Sequence, residues 1–361
     1  MKKLLNTVLF LFIAVLAWAQ EPELTVEQHL EDYDYAVKYI EDNYAGFPSK
    51  VIESTRADYE AMKNRLREQV VNGERPGYDA VAEYTAWFYD SHLRVHFNRL
   101  ENGVRTNITE HYSKKKRIHY EGFMEYAPKP VACKVTDKTF LIRFPTCDRS
   151  LLDMNWVKNS IKLFKKSNCE NLIIDIRNNG GGADAMFKPY LQLLYDHEGM
   201  TSGVEYRNTP ENLNYEYLPA IAKKLAAQNP GAEFLTTMEN EIIRYKKIDE
   251  TVRKAAIIID NNVASSGEQM LLQVRACSNR TTVYGRDNTD GCLDYSNVKY
   301  VDFLHFDHVF GVPLSRRLGL PEGAIDATGI APDVRIDLPL PARLSDNIDE
   351  WVIWVAEQLE K

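Results

Sequence analysis

Asn171-Leu172-Ile173-Ile174-Asp175-Ile176-Arg177-Asn178-Asn179-Gly180-Gly181-Gly182 is the stretch that decides the fold. Its first half is a short run of branched apolar residues, the pattern of a strand buried on both faces. Its second half stops that strand. Paired asparagines and consecutive glycines favour a sharp turn, and a glycine backbone can present its N–H groups to an anion or a carbonyl oxygen. A tight turn without any ligand reads the same way. The dinucleotide spacing G-x-G-x-x-G is missing and no G-K-[ST] follows, so no nucleotide cofactor is indicated.

Around this stretch the pattern alternates between strand and helix. A strand is predicted over 139–144 and a helix over 156–166 before it, and a helix over 184–195 after it. A second apolar strand, 255–260, runs through Asn261-Asn262 into a helix over 266–276. Strands near 282–285 and 300–303, a last strand, and a helix over 347–360 complete the chain. This order predicts a mixed α/β core over 128–342, with a final helix in 343–361 and an insertion over 198–249 that carries a helix near 218–228. The segment 20–127 reads as a helical region. Leu30, Tyr33, Val37 and Ile40 fall at helical spacing, and Thr25 with Gln28 suits a capping box. Residues 101–128 read as loops and short strands.

Composition limits the function classes. Lys2 and Lys3 precede an apolar run from Leu4 to Trp18, followed by the small-x-small pattern Ala17-Trp18-Ala19, so residues 1–19 read as a secretory signal peptide. The run is interrupted by polar residues and too short for a membrane span, and a secreted or periplasmic protein without a stable anchor is expected. Without Lys2 and Lys3 the chain carries 42 basic against 52 acidic residues, a net charge of −10, which argues against nucleic acid as a partner. The basic run Lys114-Lys115-Lys116-Arg117 reads as a solvated face. The five cysteines show no CxxC pair, so neither a zinc ribbon nor a thioredoxin-like motif is present.

The chemistry-bearing stretch is Ala264-Ser265-Ser266-Gly267-Glu268, between the apolar strand and an amphipathic helix. A serine there has its hydroxyl beside backbone N–H groups and the positive end of a helix dipole, which can stabilise an oxyanion. Ser265 to Glu268 is equally an S-x-x-E capping box.

Taken in order, 175–182, 265–268, the turn Gly285-Arg286-Asp287-Asn288-Thr289-Asp290-Gly291 and Gly329-Ile330-Ala331-Pro332-Asp333 resemble the tail-specific (C-terminal processing) serine protease family. The resemblance covers about residues 130 to 340 and implies a ββα spiral core of the crotonase and Clp-protease type, with Ser265 as nucleophile. It implies oxyanion donors among the backbone N–H groups of Gly180, Gly181 and Ser266, with no cofactor and no metal. Many members pair the serine with a lysine just after the second glycine turn. Here Cys292 stands there, and no lysine occurs between Lys254 and Lys299, so that dyad is excluded.

A second branch, exemplified by tricorn protease, uses a histidine from an S-H or G-H dipeptide ahead of the core, with a serine and a glutamate. The similar dipeptide here is Ser91-His92, leading into Leu93-Arg94-Val95-His96-Phe97. In a strand, Leu93, Val95 and Phe97 share one face, leaving His92 at the entry as candidate base and Ser91 as a possible partner. The orienting carboxylate of that branch corresponds to Asp326, with Glu322 as the fallback. His92 and His96 would form a zinc-binding face on a helix, joined by His305 or His308, but the glutamate of H-E-x-x-H is missing and the local pattern is that of a strand. Between His92 and Pro128 there is no room for the PDZ domain that captures C-termini in many members. The expected activity is therefore hydrolysis of short or unfolded peptides, with the insertion covering the cleft. The rival expectation is a binding module of the same fold, as in the family's retinoid-binding repeats.

Overall fold

The computed structural model describes residues 24–101, 104–115, 129–341 and 348–361; residues 1–19, expected to be a signal peptide, and residues 116–128 lie outside them. Two six-stranded sheets carry the architecture, and the chain is mixed α/β.

The first sheet has the order Val334–Arg335, Thr281–Gly285, Lys254–Ile259, Asn171–Asp175, Thr139–Arg143, Val131–Lys134, parallel except for the last strand. Strand alternation sorts its side chains onto two faces. Leu172, Ile174, Ala255, Ile257 and Ile259 enter one core with the helices Met154–Lys166, Lys188–Leu194 and Ser266–Cys277. Ile173, Ala256 and Ile258 enter another, closed by Trp351, Val352 and Val355 of the helix Glu350–Leu359. Burial on both faces is why these strands read as continuous apolar runs.

A buried ionic knot fastens this layer. Asp175 Oδ2 lies 2.8 Å from Arg143 Nη2 and 2.7 Å from Arg177 Nη2, and both guanidinium groups also reach Asp349 Oδ2, at 3.1 and 2.7 Å. The two arginines hold the Asp175 carboxyl well below its usual range against the opposing effect of burial. Asp349 in turn accepts from the N–H groups of Trp351 and Val352, capping the last helix.

The second sheet is antiparallel. Its spine is the ten-residue strand His308–Arg317, which pairs with Arg94–Glu101 through residues 308–311, with Val204–Arg207 through residues 315–317, and with Tyr295–Asp302 on its other side. Val104–Asn107 and Phe234–Met238 form the edges. Pro313, which has no N–H to donate, falls between the two stretches where the flanking partner changes. The helices Val26–Asn43, Glu53–Val71 and Gly77–Ala86 share one core with this sheet through Tyr33, Ile40, Leu66, Val81, Phe310 and Leu314. Thr25 and Gln28 exchange the reciprocal cap hydrogen bonds, at 3.2 and 2.9 Å.

Two organisational expectations need amending. The 198–249 segment holds, besides the helix Ala220–Gln228, strands Val204–Arg207 and Phe234–Met238, which join the second sheet, and strands Gly199–Thr201 and Glu241–Ile243, which pair with each other as a two-stranded sheet. The strands Arg94–Glu101 and Val104–Asn107 likewise join the 20–127 region to that sheet. No described helix is long and apolar enough to cross a membrane.

Candidate active site

Strands Asn171–Asp175 and Lys254–Ile259 are parallel neighbours, so the loops leaving their carboxyl ends meet at one edge of the sheet. Asp260 ties them together. Its carboxylate accepts from the N–H groups of Asn178 (3.0 Å) and Asn262 (3.0 Å). The Ala264 N–H then donates to Asn179 O at 3.0 Å, and the Ser265 N–H to Cys292 O at 3.1 Å. This stitching drives Ser265 to φ 53° and ψ −120°, a conformation that costs a non-glycine residue about 1–3 kcal/mol. The helix Ser266–Cys277 begins at the next residue, which places Ser265 at its positive end.

Of the two readings of Ser265, the cap is only half realised. The Ser265 N–H donates to Glu268 Oε2 at 3.1 Å, whereas the hydroxyl makes no cap hydrogen bond. Glu268 does more than its sequence pattern announced. Its carboxylate also accepts from Thr289 Oγ1 (2.5 Å) and from the N–H groups of Gly291 (2.8 Å) and Cys292 (2.8 Å). One buried side chain therefore locks the serine turn to the 289–292 turn. Burial pushes its carboxyl up to about 7, against these donors.

The glycine turn packs directly on the serine. A Cβ placed on Gly181 would lie 2.6 Å from Ser265 Cβ and 3.0 Å from Ser266 N, and its φ is +97°. Only glycine fits on both counts. The expectation for the Gly181 N–H is corrected, because it donates to Asn179 Oδ1 at 3.0 Å. Ser266 N, beside Gly181, and Gly180 N make no backbone hydrogen bond among the described residues, so they are the candidates left for an oxyanion.

His92 reaches this edge from the other sheet. It precedes the strand Arg94–Glu101, with Leu93 and Val95 fully buried behind it. The His92 N–H donates to Asp90 Oδ1 at 2.8 Å, and the His92 carbonyl lies against Gly311, where an added Cβ would sit 3.2 Å away. The ring Nδ1 lies 2.7 Å from Tyr295 O, which makes it the protonated nitrogen and leaves Nε2 with its lone pair. Burial lowers the imidazole pKa, opposed by the charge of Asp90, and so favours the neutral ring. His92, Gly181, Ser265 and Ser266 line one cavity of about 990 Å³, to which the 198–249 segment adds Val204, Tyr206 and Met238.

The remaining candidates fall elsewhere. Asp326 does not orient His92, since Nδ1 is already held by a main-chain carbonyl. Its carboxylate accepts from the N–H groups of Leu293 (3.2 Å) and Asp294 (2.9 Å) and faces Lys50 Nζ at 3.4 Å. It thus fixes the backbone just ahead of Tyr295, one step removed from the imidazole. Glu322 is exposed and lines no part of the cavity. Ser91 Oγ accepts from Lys115 Nζ at 3.2 Å and lines a separate small cavity. The zinc reading fails on geometry. His96 lies within a strand, His305 pairs with Glu31, and among the described residues the one clustered donor set is Asp90, His92 and Cys292, within 4.8 Å of one another. There the aspartate is engaged by the Tyr44 hydroxyl (2.8 Å) and burial holds the thiol protonated.

The model of peptidase family S41 matches residues 138–336. The chain belongs to peptidase family S41. This is the family of the tail-specific proteases, and its members' chemistry makes the chain a serine-type peptidase. Among solved structures, this S41 chain is similar to a candidate peptidase from Parabacteroides merdae (TM-score 0.60, 14% identity, 93% of this chain and 97% of that one). It is also similar to mature CPAF complexed with lactacystin (TM-score 0.64, 12% identity, 93% and 99%). At such identities the likeness concerns the fold. No curated protein matches the sequence.

Proposed function

We propose that this S41 chain is an exported peptidase that hydrolyses short or unfolded polypeptides through an acyl-enzyme on Ser265, with His92 as the base. The carrying observation is that the neutral imidazole of His92, its Nδ1 fixed by Tyr295 O, shares a cavity with the strained Ser265. His92 Nε2 takes the hydroxyl proton as Ser265 Oγ attacks the peptide carbonyl, then delivers it to the departing amine. The Ser266 N–H, at the helix terminus, and the Gly180 N–H receive the oxyanion; such donors contribute about 3 kcal/mol each. Water then cleaves the ester, with His92 again as base. The strain at Ser265 supports this reading, because a helix cap needs no such conformation. Export rests on the apolar leader of residues 1–19.

A fluorophosphonate probe tests the assignment. Labelling of the wild type and none of Ser265→Ala or His92→Ala is the expected result. No labelling of a folded wild type would favour a silent binding module.

A further inference from the structure

The cavity shared by His92 and Ser265 contains a positive charge that the described residues leave unanswered. Arg94 opens the strand two residues after His92, and both residues line the cavity. Its Nε is buried without a hydrogen-bond partner, and the guanidinium makes no ion pair within 4.0 Å among the described residues, although Arg94 also borders the small cavity lined by Asp90, Ser91 and Glu110. The other charged groups of the cavity are occupied. Arg317 Nη2 holds Asp294 Oδ1 and Gly323 O, both at 2.7 Å; Asp184 Oδ1 accepts from Ser266 Oγ at 2.7 Å; and Asp148 Oδ1 accepts from the Ser150 N–H at 2.7 Å. A guanidinium carries a planar fork of donors, and leaving it partly desolvated and unpaired is costly unless a ligand completes it.

We infer that Arg94 receives a carboxylate of the substrate on the leaving-group side of the scissile bond. The inference rests on the peptidase reading in one respect: it uses the role of His92 to set direction. The group that protonates the departing amine must stand beside it. The segment released first therefore runs past His92, and Arg94, two residues on and lining the same cavity, stands on that side of the cut. A fork of this shape grips a carboxylate bidentately and discriminates against the isosteric amide. The carboxylate belongs either to an Asp or Glu side chain or to the free end of a short leaving segment.

Alanine-based hexapeptides flanked by a fluorophore and quencher separate these sources. One arm places Asp or Asn at the first or second position after the cut, and the other ends in a free acid or an amide. The mature wild type should show kcat/KM at least about 10-fold higher for the carboxylate member of one arm, carried by KM. Arg94→Ala should collapse that ratio toward one, Arg94→Lys should restore part of it, and Arg94→Glu should invert it toward peptides with lysine. Binding of the same peptides, without the quencher, to Ser265→Ala reads the preference without turnover, so it stands even if hydrolysis fails. Equal affinity of Ser265→Ala for acid and amide in both arms, or a ratio that survives Arg94→Ala, overturns the inference. Absence of turnover together with retained acid preference would instead overturn the peptidase reading alone.

Discussion

The ring of His92 is held by the main chain of Tyr295, through a 2.7 Å hydrogen bond between Nδ1 and the carbonyl oxygen. A carbonyl fixes the tautomer as firmly as a carboxylate, yet brings no negative charge to stabilise the imidazolium. With burial disfavouring the charged ring as well, the His92 pKa lies below 6.5. The acid limb of kcat/KM should therefore have its midpoint below about 6.5, measured on a neutral peptide across pH 4.5 to 8.

The same shift has a thermodynamic consequence. The folded imidazole gives up its proton more readily than the unfolded one, so unfolding takes up protons as pH falls below about 6.5. The contribution of His92 to stability is present above that pH and is lost below it. His92→Gln should flatten this part of the denaturant-derived stability profile.

Asp326 acts at one remove, and its mutants should reveal that. Where a carboxylate directly orients a catalytic histidine, replacing it with the amide costs about 10⁴ in kcat. Asp326→Asn keeps an acceptor for Leu293 N and Asp294 N, and should cost no more than about 100-fold. A loss near 10⁴ would place the carboxylate against His92 during catalysis.

Gly181 and Ser265 pack so closely that each limits the other. Gly181→Ala introduces both a positive-φ penalty and a 2.6 Å contact, and should destabilise by about 2–3 kcal/mol while abolishing serine labelling. Ser265→Gly should also be inactive but about 1 kcal/mol more stable than Ser265→Ala, because glycine accepts φ 53°. Urea unfolding of the three variants orders them.

Glu268→Ala would leave the N–H groups of Ser265, Gly291 and Cys292 and the Thr289 hydroxyl without their common acceptor. A loss of about 3 kcal/mol or more is expected. The carboxyl is raised to about 7, so the stability it contributes is fully present below about 4.5 and declines as pH rises through 7. Glu268→Gln should remove that slope.

How far the sequence reached follows from the kind of information each part carries. The first sheet was legible because its strands are buried on both faces: 172–174 and 255–259 are unbroken apolar runs, each followed by turn residues a few positions on. The serine and glycine turns were legible for the same local reason. The spine of the second sheet, His308–Arg317, was not predicted, because Gly311 and Pro313 interrupt it. Both are explained only by tertiary neighbours: the backbone of His92 lies against one, and the flanking partner changes at the other.

By itself, then, the sequence determined the α/β layer, the place of the serine turn, and the absence of a lysine between Lys254 and Lys299. Tertiary structure decided which acceptor holds His92, which N–H groups remain open for an oxyanion, and that Glu268 locks two turns together. Those are contacts between segments as much as 203 residues apart, as in the pairing of His92 with Tyr295, and local side-chain preference carries no record of them.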